Sequence, residues 1–334
     1  MALPAPATRA SGTEAEATED LRAAVFAPSP VITVTIETVG DDGAEVHFHA
    51  GGQGLWVARM MRELGVTVTI CAALGGETGA VLRPLIEREG LELRDVHSDS
   101  WNGAYVHDRR TGAREVVAET AAKPLSRHEL DALYTATLAS GIDAGTCLLT
   151  GTKQDVTVPT DTYRRLANDL GHNRVEVVVD LSGESLAAAL EGGVGLVKLS
   201  HEEVVRDGYA RNDGMDELVD AIRTLQAAGA VDVVISRGGE PALACLDGRL
   251  LEAEIPELEV VDHRGTGDAM TATLAVARAR RYSAKETLRL AVAAGSLNAT
   301  HHGLATGDRT DVERLARDIT VHTLDAEYPK GGSR

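Results

Sequence analysis

The stretch Val260–Met270, VVDHRGTGDAM, decides how the chain is read. A β-prone run ends in Asp262, two glycines flank Thr266, and a second carboxylate, Asp268, stands where a helix would begin. A strand-to-helix turn of this kind aims several free backbone amides at one point, and the helix dipole adds positive potential there. Glycine lets the backbone approach a phosphate closely, and a carboxylate beside such a cradle could take a proton from an attacking hydroxyl. Aspartate is also a good helix N-cap, and Gly-x-Gly is common in plain turns. On these residues alone both readings stand, a capped turn or a phosphate cradle beside a base.

The surrounding chain favours an α/β architecture. Apolar runs such as VEVVVDL, GLVKLS and DVVISRGG alternate with amphipathic segments such as TDTYRRLANDL and MDELVDAIRTLQAAG. Strands that are Val/Ile/Leu-rich throughout are covered on both faces, as in a parallel sheet between helix layers. Earlier, VITVTIETV and AEVHFHA are joined by a polar Gly/Asp cluster, and GAYVHD and AREVVAE by RRTG, so two hairpins are expected to form a small separate sheet. The expected organisation is a disordered tail over 1–24 leading into a helix, one α/β domain over 25–325 with lid strands near 31–50 and 102–119, and a C-terminal tail over 326–334.

Composition narrows the function. The 334 residues carry 51 acidic and 33 basic side chains, a net charge of −18, with 3% aromatics. A nucleic acid or an anionic membrane would be repelled over most of such a surface, and few side chains are available to stack on bases. A small anion would need a local basic or amide-lined pocket. Only five lysines occur, which singles out Lys198 in VKLSHEEV. Three widely spaced cysteines, Cys71, Cys147 and Cys245, fit neither a disulfide framework nor a zinc site, and a cytoplasmic location is expected. No glycine-rich stretch ends in Gly-Lys-Ser/Thr, and GGQGLWVA lacks the third glycine of a dinucleotide fingerprint. A kinase without a Walker-type loop is the phosphate chemistry that remains.

The order of motifs resembles the PfkB (ribokinase-like) carbohydrate kinase family, within it the branch of 1-phosphofructokinase and tagatose-6-phosphate kinase. GGQGLWVARMMRELG followed by VTICAALGGETG matches the early signature, and DHRGTGDAMTATLAVA followed by AVAAGSLNATHHG the late one. The resemblance implies a three-layer α/β/α fold with a mostly parallel sheet and a small β lid. It implies ATP-dependent transfer to a sugar hydroxyl, with Asp268 as base and the amides of Gly265, Thr266 and Gly267 as anion hole. ATP would lie along Lys198, Ser200, Ser236, Gly238 and Gly239, with Arg264 beside its phosphates and Asn298 near the adenine. Glu203 would organise Mg2+ water, and a role for K+ is left open.

The acceptor side departs from the branch. Thr33 stands where an aspartate usually holds the sugar, Gln53 and Trp56 replace Lys or Asn and Asn after Gly51 and Gly52, and Asn102 stands for a lid arginine that would hold the substrate phosphate. Ser200 replaces an asparagine and Pro241 a glycine. These changes imply a different, less charged acceptor, and keep open a ligand-binding or regulatory protein with weak or no transfer, or a nucleoside kinase in which Trp56 stacks on a base. Remaining candidates have ordinary explanations: His47 and His49 share a strand face, His301 and His302 adjoin, Lys153 ends a strand, and RRTGAR reads as solvated charge in a turn. Exposed lid edges suggest a homodimer through the lid.

Overall fold

The computed structural model describes residues 21–40, 43–151, 157–301 and 307–324. In chain order the elements begin β1 (Arg22–Phe26), β2 (Val31–Val39), β3 (Gly43–Gly51), α1 (Gln53–Glu63), β4 (Thr67–Gly75), α2 (Gly76–Arg88), β5 (Glu92–Ser98), β6 (Gly103–Asp108) and β7 (Glu115–Thr120). The alternating part follows as α3 (Arg127–Ala144), β8 (Thr146–Thr150), α4 (Asp161–His172), β9 (Glu176–Asp180), α5 (Gly183–Gly192), β10 (Val194–Ser200), α6 (His201–Arg206), α7 (Met215–Ala228) and β11 (Ala230–Arg237). It closes with β12 (Glu240–Leu246), β13 (Arg249–Ala253), α8 (Thr266–Ala279), α9 (Ala284–Ala299), α10 (Arg309–Ala316) and β14 (Val321–Thr323).

Ten strands form one sheet in the order β14-β13-β12-β11-β10-β9-β8-β1-β4-β5, parallel from β5 to β11 and antiparallel beyond. Neighbouring residues of one strand feed opposite layers: Leu148 packs in the cluster with α1, α8 and α9, and Leu149 in the cluster with α3, α4 and α7. That is the period of two of a strand buried on both faces, and it gives the expected three layers. The expected lid strands pair as a four-stranded sheet, β3-β2-β6-β7, with β2 and β6 parallel to each other and hairpins on either side.

One expectation about elements is corrected. Arg22, Ala23 and Ala24 belong to a central strand, not to a helix entered from a tail: β1 pairs with β4 on one side and β8 on the other, and Ala23–Phe26 are buried. Alanine is a good helix former, but its small side chain also suits a position sandwiched between two helix layers, and tertiary context decides. The sheet also extends past β11 by the hairpin β12–β13 and the short β14, around the Asp-Gly turn at Asp247 and Gly248.

At the amino-terminal edge of this sheet Asp232 is almost fully buried. It accepts the Asp247 amide at 2.9 Å and lies 3.0 Å from the Arg278 guanidinium, which also reaches Glu176 at 3.1 Å and Asp247 at 3.0 Å. Burial pushes the Asp232 carboxyl up to about 6, against the opposing charge of Arg278. One arginine thereby ties the end of α8 to β9 and to the β12–β13 turn. Among the described residues no helix is long and apolar enough to cross a membrane.

Candidate active site

The carboxyl ends of β9 and β10 and the amino end of α8 meet at a cavity of about 720 Å³. α8 starts at Gly265, a left-handed residue (φ 77°), and no side chain caps it. Asp268 lies inside the first turn, so the capped-turn reading of GTGD is not the one adopted. The first amides of α8 are left without an intrahelical acceptor. Thr266 Oγ1 is buried beside them without a hydrogen-bond partner. Gly267 leaves room for Lys198: a Cβ there would stand 2.5 Å from Lys198 Nζ and would push the ammonium away from the helix end. An ammonium, a helix amino terminus and an unused hydroxyl thus converge on one side of the cavity, a set that suits an anion.

The opposite charge is supplied by two carboxylates. Asp268 is raised to about 7, first by burial and then by the nearby charge of Asp180, while Lys198 and a hydrogen bond from Gln53 pull the other way. Asp180, at the end of β9, is also raised by burial, opposed by Lys198 and by the Thr271 hydroxyl, which donates to its Oδ2 at 2.7 Å. Gln53, at the start of α1, is held in turn by the Gly151 amide, which donates to its Oε1 at 2.9 Å. Its seat depends on Gly54, where a Cβ would run into Ala27 and meet Thr150 Oγ1 at 3.0 Å.

Of the residues expected at a nucleotide, Lys198, Ser200, Ser236, Gly238 and Gly239 line this cavity, as do Thr266, Gly267, Asp268 and Glu203. Glu203 closes a capping box on α6: its Oε2 accepts from the Ser200 amide at 2.8 Å and hydroxyl at 3.1 Å. Ser236 Oγ donates to the Leu199 carbonyl at 3.4 Å. The far wall is apolar, built from Ile255, Leu258, Val260 and Val292. That division into a polar end and an apolar wall is the usual make-up of a small-molecule site.

Three expectations are corrected by what the side chains hold. Asn298 does not reach the cavity; it is fully buried and donates to the Arg264 carbonyl at 2.8 Å, fixing the turn before Gly265 from behind. Arg264 lies outside the cavity lining and forks onto Asp262, with Nε 2.9 Å from Oδ1. Asn102 faces inward instead of toward an acceptor: its Oδ1 accepts the Gly75 amide at 3.0 Å and its Nδ2 donates to the Ala73 carbonyl at 2.8 Å. A short amide beside the unpaired end of β4 satisfies buried backbone groups, and that use wins.

On the acceptor side only Gln53 lines the cavity. Gly51 faces Thr33, whose Oγ1 would stand 2.7 Å from a Cβ at 51, and Gly52 (φ 105°) precedes α1 in a backbone that other residues rarely adopt. Trp56 is half-buried and packs against the apolar core. His47 and His49 stack at 6.2 Å, and no group of three metal-capable side chains occurs among the described residues. Lys153 and His302 lie outside the described residues.

Sequence reading missed two features. Asp180 closes an otherwise apolar strand, VEVVVD, and a carboxylate at the carboxyl end of a parallel strand is the signal that could have exposed it. The RRTGAR turn is exposed from Arg110 to Arg114, as expected, but Arg114 also donates to His107 Nε2 at 2.6 Å. Partial burial and the nearby guanidinium groups of Arg264 and Arg109 hold Arg114 below its usual range. The lid hairpin therefore puts Arg114 and Arg109 within electrostatic reach of Arg264 and Asp262.

Comparison with solved structures identifies the fold. Escherichia coli phosphofructokinase-2 in complex with potassium superposes with a TM-score of 0.79 at 23% identity, over 89% of this chain and 99% of that one. Arabidopsis thaliana ribokinase complexed with ribose and ATP gives 0.67 at 20% identity, over 89% and 99%. The fold is ribokinase-like. Residues 29–311 match the pfkB family of carbohydrate kinases, and the chain belongs to that family; it is a phosphotransferase. Among relatives, the 1-phosphofructokinase of Bacillus subtilis is 24% identical over 276 residues, 83% of this chain and 89% of that protein. The D-tagatose-1-phosphate kinase of Bacillus licheniformis is 26% identical over 289 residues, 83% and 90%.

The raised carboxyl of Asp268 carries a stability signature. An acid whose folded pKa lies above its unfolded value stabilises the fold fully below the unfolded value, and that contribution is lost as pH rises through the folded one. Between about pH 4 and 7 the native state therefore holds a proton that the unfolded chain releases. Asp268→Asn is expected to raise Tm above pH 7 and to leave it near the wild-type value below about pH 4. A scan of Tm against pH that runs parallel for both proteins would show Asp268 not to be desolvated.

Proposed function

We propose that the protein transfers the γ-phosphoryl group of ATP to a hydroxyl of a sugar or sugar phosphate, with Asp268 as general base. The observation that carries this is the placement of Asp268: a half-buried carboxyl, raised to about 7 by desolvation and the Asp180 charge, at the uncapped amino end of α8 and in the same cavity as Lys198. A base with that pKa is half deprotonated near neutrality and still strong enough to accept a hydroxyl proton. As the acceptor oxygen bonds to phosphorus and the bond to the leaving nucleotide breaks, the proton goes to Asp268. The amides of Gly265, Thr266 and Gly267 and the Lys198 ammonium meet the charge on the transferred group.

ATP fits the cavity by its chemistry. The anion-favouring side would take phosphates, with Ser200, Ser236, Gly238 and Gly239 along them, and the apolar wall would take the base. Asp180 and Glu203 offer the hard oxygen donors that suit a hydrated Mg2+, which would neutralise phosphate charge when bound. Asp268→Asn is expected to lower ADP release by about 10³-fold or more while nucleotide binding, followed by calorimetry, survives. Release by the wild type no faster than by Asp268→Asn, across a panel of sugars and sugar phosphates, would refute transfer.

Within that reading the lid favours an acceptor that itself carries an anionic group. Arg114 is held below its usual range first by desolvation and then by the charges of Arg264 and Arg109, and an anion beside it would offset both, although Arg264 and Arg109 already pair with Asp262 and Glu37. Arg114→Gln is expected to raise KM for a phosphorylated acceptor by about tenfold, with little effect on its unphosphorylated counterpart. Equal effects on both would remove Arg114 from the acceptor site.

We also propose that two copies pair through the small sheet. Val46 and Phe48 on β3 are each more than half exposed and share one face, an apolar pair that a second lid could cover. Sedimentation should show a dimer in the wild type and a monomer in Phe48→Asp; a wild-type monomer at micromolar concentration would end the proposal.

A further inference from the structure

A second cavity, of about 670 Å³, lies at the other end of the molecule, where β1, β8 and β9 begin and α8 ends. Four arginines line it, Arg22, Arg174, Arg278 and Arg281, all but Arg278 exposed, against two acidic residues, Glu176 and Asp247. That balance reverses the chain's own, in which acidic side chains outnumber basic ones 51 to 33. Arg278 is committed to Glu176, Asp232 and Asp247, and Arg22 pairs with Glu92 at 2.8 Å. Among the described residues no acidic side chain pairs with Arg174 or Arg281.

The backbone marks the same place. Among the described residues three that are not glycine adopt positive φ, namely Arg174 (61°), Asp247 (49°) and Arg281 (57°), and all three line this cavity. Arg174 follows the C-cap of α4, and Arg281 that of α8, positions where glycine makes the left-handed turn without strain. Asp247 before Gly248 has an ordinary hairpin-turn explanation. For the two arginines, the carbonyl ends of α4 and α8 favour nearby cations, but a cation in the last turn would serve that purpose without a left-handed backbone. Strain kept at two unpaired arginines that face one cavity points to a ligand.

We propose that this cavity binds a small multivalent oxyanion, with Arg174 and Arg281 as its principal charge-assisted donors and Arg22 at its edge. The inference does not depend on the proposed phosphoryl transfer. It does place an occupant in contact with both elements that position the buried carboxylates, because α8 carries Asp268 in its first turn and Arg278 in its last, and β9 runs from Glu176 to Asp180.

The test is titration calorimetry at constant ionic strength, with inorganic pyrophosphate in one arm and citrate in the other, on wild type and on the double variant Arg174→Gly/Arg281→Gly. Glycine suits both backbones, so the variant is expected to keep its fold and a Tm no lower than wild type. The main cavity is the same in both proteins, so any binding there cancels in the comparison. In at least one arm the wild type should show a binding event that the variant weakens by about tenfold or more; the arm that responds tells phosphate from carboxylate. Superposable isotherms in both arms would overturn the site. Superposable isotherms with a lowered Tm would do so too, reducing the two arginines to cations that offset helix ends.

Discussion

Everything around the active site answers to one electrostatic constraint: the buried Asp180 carboxylate and Lys198 ammonium share one wall with the half-buried, desolvated carboxyl of Asp268. Two acids and one base do not cancel, and burial adds to the cost of holding both acids ionised. The fold meets this by bringing donors, not by adding a second cation. Thr271 donates to Asp180, Gln53 bonds to both carboxylates, and the uncapped amino end of α8 adds its dipole. What stays unbalanced is a carboxyl raised to about 7, the property that a hydroxyl-activating base needs at neutral pH.

That constraint explains the strict geometry of the glycine turn. Lys198 can sit against α8 only because residue 267 has no side chain, and α8 can start so abruptly only because Gly265 takes a left-handed turn. Asn298 holds the carbonyl of the preceding residue from α9, which packs so closely on α8 that a Cβ at Gly295 would press on Met270 Cγ at 2.7 Å. On the opposite wall, the close seat of Gly54 on Ala27 sets where Gln53 can reach. The glycines of the early motif therefore serve helix placement at least as much as access to a ligand.

Much of this was legible in the sequence because burial writes itself into composition. Strands covered on both faces read as continuous Val/Ile/Leu, and GTGD could be read as a candidate amide cradle without coordinates. Illegible were features whose signal lies in direction and not in type. Nothing in WNGAY tells that Asn102 turns toward the end of β4, and nothing in GSLNAT tells that Asn298 serves a backbone carbonyl. β1 was hidden because Ala23 and Ala24 suit either a helix or a tightly sandwiched strand. Asp180 was readable in principle, but a lone aspartate after VEVVV has no motif around it. Arg114 is exposed, as a basic hairpin leads one to expect, and only the packing of the small sheet shows that it also leans on His107.

The distribution of charge gives the molecule a consistent logic. With a net charge of −18, the surface at large repels anions, so any site for one must overcome that field locally. Salt screens the diffuse repulsion over roughly 8–10 Å, leaving a pocket of fixed donors to act at close range. The chain shows two such concentrations along α8: an ammonium with helix amides at its amino end, and arginines gathered around its carboxyl end. The first relies on a dipole that favours negative charge, whereas the second must work against one. Of the four arginines there, Arg278 and Arg22 are held by carboxylates, so working against that dipole falls to the two that remain, Arg174 and Arg281.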